Sequence, residues 1–95
     1  MPDSDMDFAA FERRALAAGY DEALERRWAP GTVIGQHSHD FDADAVVTQG
    51  EMWLDVDGVN RRLVPGDTFT LARGTPHAER YGPSGATYWV ARRSG

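Results

Sequence analysis

The predicted fold is built around the stretch Gly31-Thr-Val-Ile-Gly-Gln-His37-Ser-His39, which holds two of the three histidines of this 95-residue chain. On a β-strand, His37 and His39 would share one face, with about 7 Å of rise between them. The third histidine, His77, lies in Gly74-Thr-Pro-His77 and is the only one left to approach from a neighbouring strand. Three neutral imidazoles so placed can bind one metal ion and leave coordination positions open for water or substrate. Without a metal, the same pair would be two half-buried polar residues of a strand.

Short β-strands are predicted over most of the chain, because apolar and polar residues alternate between turns rich in glycine and proline. The clearest example is the segment 52–57, where Met52 and Leu54 point one way and Trp53 the other. The eight predicted strands are residues 22–29, 33–39, 45–49, 52–57, 59–64, 67–71, 77–81 and 86–91. The turns between them include Asp57-Gly58, Pro65-Gly66 and Gly82-Pro83-Ser84-Gly85. This pattern is typical of an all-β sandwich or barrel.

An amphipathic helix is predicted ahead of the first strand. Apolar residues recur at helical spacing from Phe8 to Leu16. Asp7 suits the N-cap position, and Gly19 suits the position that follows the last turn. The helix is therefore expected to cover one side or end of the β-structure.

The composition argues against several functional classes. The net charge is −5 and every basic residue is arginine, so the chain is expected to be a poor binder of nucleic acid, which needs a positive field. Cysteine is absent, which removes disulfides and thiol catalysis and fits a reducing compartment. No apolar run has the length of a signal peptide or a membrane span, so no membrane association and a cytoplasmic location are expected.

Two blocks of the sequence resemble the paired motifs of the cupin superfamily, Gly-x5-His-x-His-x3-4-Glu-x6-Gly and Gly-x5-Pro-x-Gly-x2-His-x3-Asn. The first block runs over residues 31–50 and the second over residues 66–81. The resemblance implies a double-stranded β-helix barrel over residues 21–95, with residues 1–20 as an N-terminal tail and short helix packed on it. Carried over position by position, it implies three metal ligands, His37, His39 and His77.

The sequence departs from these motifs at three positions. Ala43 stands where the family has its metal-binding glutamate, Ala72 where it has proline, and Tyr81 where it has asparagine. Pro76 stiffens the same loop as the missing proline, whereas Ala43 cannot bind a metal. The loss of the glutamate leaves the fourth protein ligand open.

An acidic side chain elsewhere can take the place of that glutamate. Glu79 follows His77 by two residues and shares its face on a strand, so it is the candidate catalytic residue. It could complete the coordination shell, bind a metal-bound water or act as a general base. Alternatively, Glu79 lies at the rim, or a bulge turns Asp42 or Asp44 toward the metal.

The expected function is a cupin that binds a small organic molecule at a divalent transition metal (zinc, iron, nickel or manganese) inside the barrel. One interpretation is an enzyme of dioxygenase, isomerase or lyase type. The alternative is a non-catalytic small-molecule-binding or sensor barrel, because fold does not determine reaction. The cavity wall is expected to include the following apolar residues: Met52, Leu54, Val56, Phe69 and Tyr88.

A homodimer is also expected. Trp53 is predicted to lie on the outer face of its strand, and Ile34 on the face opposite the histidines. Outward apolar groups of this size need a cover, which the helix or a second subunit would supply. Cupins are often dimers, and the resemblance therefore favours the second subunit.

Overall fold

The computed structural model describes residues 7–94, which form one helix and six strands. The elements are α1 (Phe8–Ala17), β1 (Glu22–Trp28), β2 (Val33–His37), β3 (Asp42–Val56), β4 (Val59–Leu63), β5 (Thr68–Leu71) and β6 (His77–Arg93). The predicted all-β architecture with a short N-terminal helix is confirmed. Within residues 7–94, no helix has the length and apolar character needed to span a membrane.

Two long antiparallel strands, β3 and β6, form the centre of the fold. The C-terminal half of β6 pairs with β1, and its N-terminal half pairs with β2. The N-terminal half of β3 pairs with β5, and its C-terminal half pairs with β4. The two central strands therefore pass through two four-stranded groups that share one core, as the predicted double-stranded β-helix requires.

The interruptions predicted at Gly50 and at residues 82–85 are wrong, because β3 and β6 continue through them. Pairing runs to Gly50 opposite Ala86 and resumes at Met52 opposite Tyr81, so residues 82–85 bulge without reversing the chain. Gly50 has φ +77°, and a Cβ built there would lie 2.1 Å from the carbonyl oxygen of Gly85. Glycine is needed here because two backbones meet closely at the corner of the barrel.

The core lies between the two groups of strands. Met52 and Leu54 are fully buried, as the alternation of β3 predicts, and Leu63 packs beside them from β4. Burial of each such side chain stabilises the fold by roughly 1.5–3 kcal/mol. The predicted hairpin between β3 and β4 is confirmed, with Asp57 at φ +54° and Gly58 at φ +80°.

The helix α1 packs on the outside of the barrel, as predicted. The Asp7 carboxylate accepts a hydrogen bond of 2.8 Å from the Ala10 amide and caps its first turn. Phe8 and Phe11 contact the indole of Trp89, with ring centroids 5.8 and 5.9 Å away. The boundary predicted between the tail with its helix and the barrel stays a prediction, and residues 1–6 and 95 lie outside the described residues.

The outer face around Trp53 has a different cover. The guanidinium carbon of Arg80 lies 4.1 Å from the centroid of the Trp53 ring, in a cation–π contact. The contacts of α1 are with β1 and β6. The expected homodimer stays a prediction.

Candidate metal centre

The pairing of β2 with β6 brings the three histidines together. His37 lies directly opposite His77, and their ring centroids are 4.3 Å apart. The ring of His39 lies 5.0 Å from that of His37 and 4.8 Å from that of His77. One ligand atom from each of the three rings lies within 4.8 Å of the other two, so a single ion can be shared among them.

A bulge in β2 sets the direction of His37. Ile34 pairs with Glu79 and His37 pairs with His77, so three residues on β2 span two on β6. Ile34 and His37 consequently both face the interior, and the expectation that Ile34 opposes the histidines is wrong. Regular alternation would place Val33 on the same face as His37, but Val33 is 71% exposed.

His39 reaches the site from a loop, because β2 ends at His37 and not at His39 as predicted. The carbonyl oxygen of His39 accepts a hydrogen bond of 2.7 Å from the Gly74 amide. This bond joins the loop after β2 to the loop that precedes His77. The His39 ring stacks on Phe41, with centroids 4.6 Å apart and planes 5° from parallel.

Backbone carbonyl groups determine which nitrogen of two of the rings is free. Nδ1 of His37 lies 2.8 Å from the carbonyl oxygen of Gly35, and Nδ1 of His77 lies 3.0 Å from that of Thr75. A carbonyl oxygen only accepts, so each Nδ1 carries the proton and each Nε2 presents a lone pair to the interior. Metal-binding histidines commonly donate their other ring N–H to a backbone carbonyl in this way.

The Nε2 atom of His77 is buried and has no hydrogen-bond partner among the described residues. An unsatisfied buried acceptor costs about 1–3 kcal/mol, so the site fits a cation that would satisfy it. Burial, followed by the nearby His77 and His37, lowers the pKa of His39 and favours the neutral ring that metal ligation needs.

Glu79 lies beside the histidines. Its Oε2 atom is 3.4 Å from Nε2 of His77 and 3.6 Å from Nε2 of His37, and its side chain is 8% exposed. Its Oε1 atom accepts a hydrogen bond from the hydroxyl of Tyr81. Burial, together with Tyr88 and Glu79, raises the pKa of Tyr81, so the hydroxyl keeps its proton and donates.

The other acidic candidates lie elsewhere. Asp42 accepts hydrogen bonds from the backbone amide (2.9 Å) and the side chain of Arg73, which lower its pKa to about 2. Asp44 lines a depression next to α1 on the outside of the barrel. Ala43 faces the interior between them, at the position that the cupin motif gives to glutamate.

Comparison with known proteins places this geometry in a family. The Cupin domain family matches residues 24–89, which is more than half of the chain. The chain belongs to the cupin family. A comparison with curated proteins finds no match.

Solved structures resemble this cupin over about three quarters of its length. KdgF from Halomonas sp. is 27% identical with a TM-score of 0.65, covering 75% of this chain and 66% of that one. An RmlC-like cupin from Shewanella frigidimarina is 24% identical with a TM-score of 0.69, covering 78% and 66%. A chain from the structures of the DMSP lyases RdDddP and RnDddQII is 23% identical with a TM-score of 0.70, covering 76% and 37%. This cupin thus spans two thirds or less of each of these chains, and the last two similarities show the fold alone.

The interior of this cupin contains a cavity of about 300 Å³ beside the histidines. The predicted Phe69 and Tyr88 line it, whereas Met52 and Leu54 are buried in the core outside its lining and Val56 lines a different depression. Several other residues that line it were not expected from the sequence, namely Arg26, Trp28, Phe41, Leu71, Val90 and Arg92. The signal was present in β1, where Leu24, Arg26 and Trp28 alternate with outward residues.

A larger and more open depression of about 810 Å³ lies between the β3–β4 hairpin and residues 73–76. None of the three histidines lines it. The larger depression therefore lacks the group of metal-binding side chains that the smaller cavity has.

Proposed function

We propose that this cupin is a metal-dependent enzyme that binds a small organic molecule beside His37, His39 and His77 and moves a proton of that molecule with Glu79. The proposal depends on one observation. The buried lone pair of His77 Nε2 faces the Glu79 carboxylate at 3.4 Å, and both groups are acceptors when the imidazole is neutral. A cation bound at His77 Nε2 would satisfy that lone pair, and the negative charge of Glu79 beside it would favour its binding.

The donor set fits a divalent transition metal. Three imidazole nitrogens with one carboxylate oxygen nearby suit zinc, iron, nickel or manganese. The bound ion would supply a Lewis acid for a substrate oxygen. His37, His39 and His77 would hold it, and the carbonyl groups of Gly35 and Thr75 orient two of the three rings.

Glu79 is the proton-transfer group of the proposal. Its Oε2 atom faces the histidines, while the Tyr81 hydroxyl holds Oε1 in place. A carboxylate held in this way can take a proton from a bound molecule and return it elsewhere, as a general base. Reactions of isomerase or lyase type need such a group and need no oxidant, so we favour them over a dioxygenase reaction.

Metal binding is tested first. Protein purified without a histidine tag is stripped with a chelator, reloaded with each of the four metals and assayed for metal content. We expect about one ion per chain. A chain that takes up no stoichiometric metal under any of these conditions would contradict the proposal.

Proton transfer is tested in heavy water. Metal-loaded protein is incubated with small ketones, aldehydes and hydroxy acids, and deuterium incorporation is followed by NMR. Replacing Glu79 with Gln should slow exchange by about 100-fold or more, since general base catalysis contributes that much. Glu51→Gln is the control, because Glu51 pairs with Arg62 on the surface. Binding without exchange or product would favour the non-catalytic sensor barrel.

A further inference from the structure

Two arginines line the cavity of a chain whose net charge is −5. Arg26 projects from β1 and Arg92 from β6, the strands that pair along this wall. Elsewhere in the described chain, Arg27, Arg62 and Arg93 form surface ion pairs, and the one between Arg27 and Glu25 measures 3.1 Å. A positively charged wall inside an acidic protein needs a separate explanation.

Arg26 has no acidic group within ion-pair distance among residues 7–94. The guanidinium carbon of Arg26 lies 4.9 Å from the centroid of the Trp28 ring. A guanidinium that lies over an aromatic ring uses its face for that contact and keeps its in-plane N–H groups as donors. These donors match the two oxygens of a carboxylate.

Arg92 is only partly neutralised. Its Nη2 atom lies 3.1 Å from the Glu22 carboxylate, and its guanidinium carbon lies 4.8 Å from the centroid of the Phe41 ring. Its Nε atom is buried and has no hydrogen-bond partner among the described residues. Arg92 therefore adds a second positive charge to the lining, which the Glu22 carboxylate partly offsets.

Arg26 is the cation of this lining that has no carboxylate partner among the described residues, because Arg92 is paired with Glu22. Glu79 is the one carboxylate in its lining, and it lies among the histidines, while both arginines are in the same lining. A bound divalent ion would add further positive charge. Because the site is partly shielded from water, an uncompensated cation there favours a ligand that carries a negative charge.

We propose that the ligand of this cavity is a small organic carboxylate, and that Arg26 binds the carboxylate group. The volume of about 300 Å³ corresponds to about ten groups of the size of water, at ~30 Å³ each. Apolar side chains, including Trp28, Phe69 and Val90, surround the carbon chain of the ligand. The other end of the ligand faces the histidines, and only this last placement rests on the proposed function.

The test compares acids with their uncharged amides. Levulinate and levulinamide, hexanoate and hexanamide, and inorganic phosphate are titrated calorimetrically into metal-loaded and metal-free protein. We expect each acid to bind at least about tenfold more tightly than its amide, since a charged hydrogen bond contributes that much. Equal affinity for acids and amides, or no binding of either acid at millimolar concentration, overturns the proposal.

Substitutions in β1 test whether Arg26 is responsible for the preference for acids over amides. Arg26→Gln should remove the preference for the acid and leave the affinity for the amide unchanged, which also shows that the variant folds. Arg26→Lys should retain part of the preference because it keeps the charge. Arg27→Gln is the matched control, because the Arg27 side chain is next in sequence to Arg26 but is 78% exposed and paired with Glu25. An acid preference that survives in Arg26→Gln, or binding of phosphate in place of both acids, contradicts the assignment.

Metal content measured on the same samples separates the two proposals. Carboxylate binding that depends on Arg26 in protein that takes up no metal would support the carboxylate assignment and contradict the metal-dependent enzyme. Stoichiometric metal binding without any preference for acids would contradict the carboxylate assignment and leave the metal-dependent enzyme supported.

Discussion

The two halves of the histidine site are built very differently. His77 and Glu79 lie on β6, which pairs with β1, β2 and β3 at the centre of the fold, and the His77 side chain is 1% exposed. His37 lies at the end of β2, which among the described strands pairs with β6 alone, and the His37 side chain is 31% exposed. We call these the central half and the edge half of the site, the edge half comprising His37 and His39 with β2 and the following loop.

The difference indicates how such a site can hold its side chains in fixed positions and still admit a ligand. The central half takes its position from strands on both sides, so its side chains are already in place before any ligand arrives. The edge half has one pairing partner and a bulge, and elements with few neighbours open at lower free energy. We therefore expect a bound metal to order the edge half and to change the central half little.

The largest expected effect is a loss of folding stability on replacing a glycine in a central strand, compared with a glycine in β2. Gly50→Ala should destabilise the fold by about 3 kcal/mol or more, because the new Cβ meets the Gly85 carbonyl at 2.1 Å and φ is +77°. Gly35→Ala in β2 should change stability by less than about 1 kcal/mol, since nothing lies within 4 Å of its Cβ. Urea denaturation of the metal-free proteins measures both, and equal midpoints would contradict the contrast.

Removing one imidazole from either half should abolish stoichiometric metal. His77→Ala and His37→Ala are each expected to weaken metal binding by about 100-fold or more, because losing a ligand costs more than losing a group that only orients one. Both should lower the thermal midpoint of the metal-loaded protein and remove its dependence on metal concentration. Wild-type metal content in both variants would mean that the histidines are structural.

Hydrogen exchange distinguishes the halves without mutation. At a saturating metal concentration, the amides of Val33–His37 should exchange about tenfold more slowly than in the metal-free protein. The amides of β6 near His77 should change much less, because their pairing already protects them on both sides. Equal protection of both strands would show that the site responds as one rigid unit.

The smallest effect concerns the loop that joins the halves. Asp42 holds Arg73, next to the Gly74 amide that binds the His39 carbonyl. The hydrogen bonds from the Arg73 side chain and backbone amide lower the pKa of Asp42 to about 2. The ionised Asp42 should therefore contribute its full stabilisation of the fold above pH about 4, the pKa of an unfolded aspartate, and this stabilisation should be lost as the pH falls through 2. Asp42→Asn should therefore lower the thermal midpoint slightly at neutral pH and not at pH about 2. Asp44→Asn is the control and should leave the thermal midpoint nearly unchanged at both pH values. If Asp42→Asn shifted the thermal midpoint equally at neutral pH and at pH about 2, the role assigned to Asp42 would be contradicted.

The successes of the sequence analysis share a local origin. Alternation in β3 predicts which side chains are buried, because the pleat sends neighbours to opposite faces wherever pairing is regular. Asp7 and the spacing from Phe8 predict α1, and Asp57-Gly58 predicts its hairpin, since caps and turns depend on a few adjacent residues. The cupin motifs were recognisable for the same reason, as spacings within short segments.

Two wrong expectations concern places where a neighbouring strand overrides the local pattern. Residues 82–85 contain the residues of a turn, yet β6 continues through them because β3 pairs with it on both sides. Ile34 was assigned to the outside because alternation was counted through a bulge that only the register with β6 reveals.

The sequence by itself determined the class of fold, the helix, and the three histidines with Glu79 as candidates for one site. Only the tertiary structure decided that Glu79 lies within 3.6 Å of two imidazoles, that Asp42 and Asp44 lie outside, and that Arg26 and Arg92 share the cavity. The physical reason is that spacing along a strand determines which face a side chain takes, while pairing between distant strands determines which faces meet.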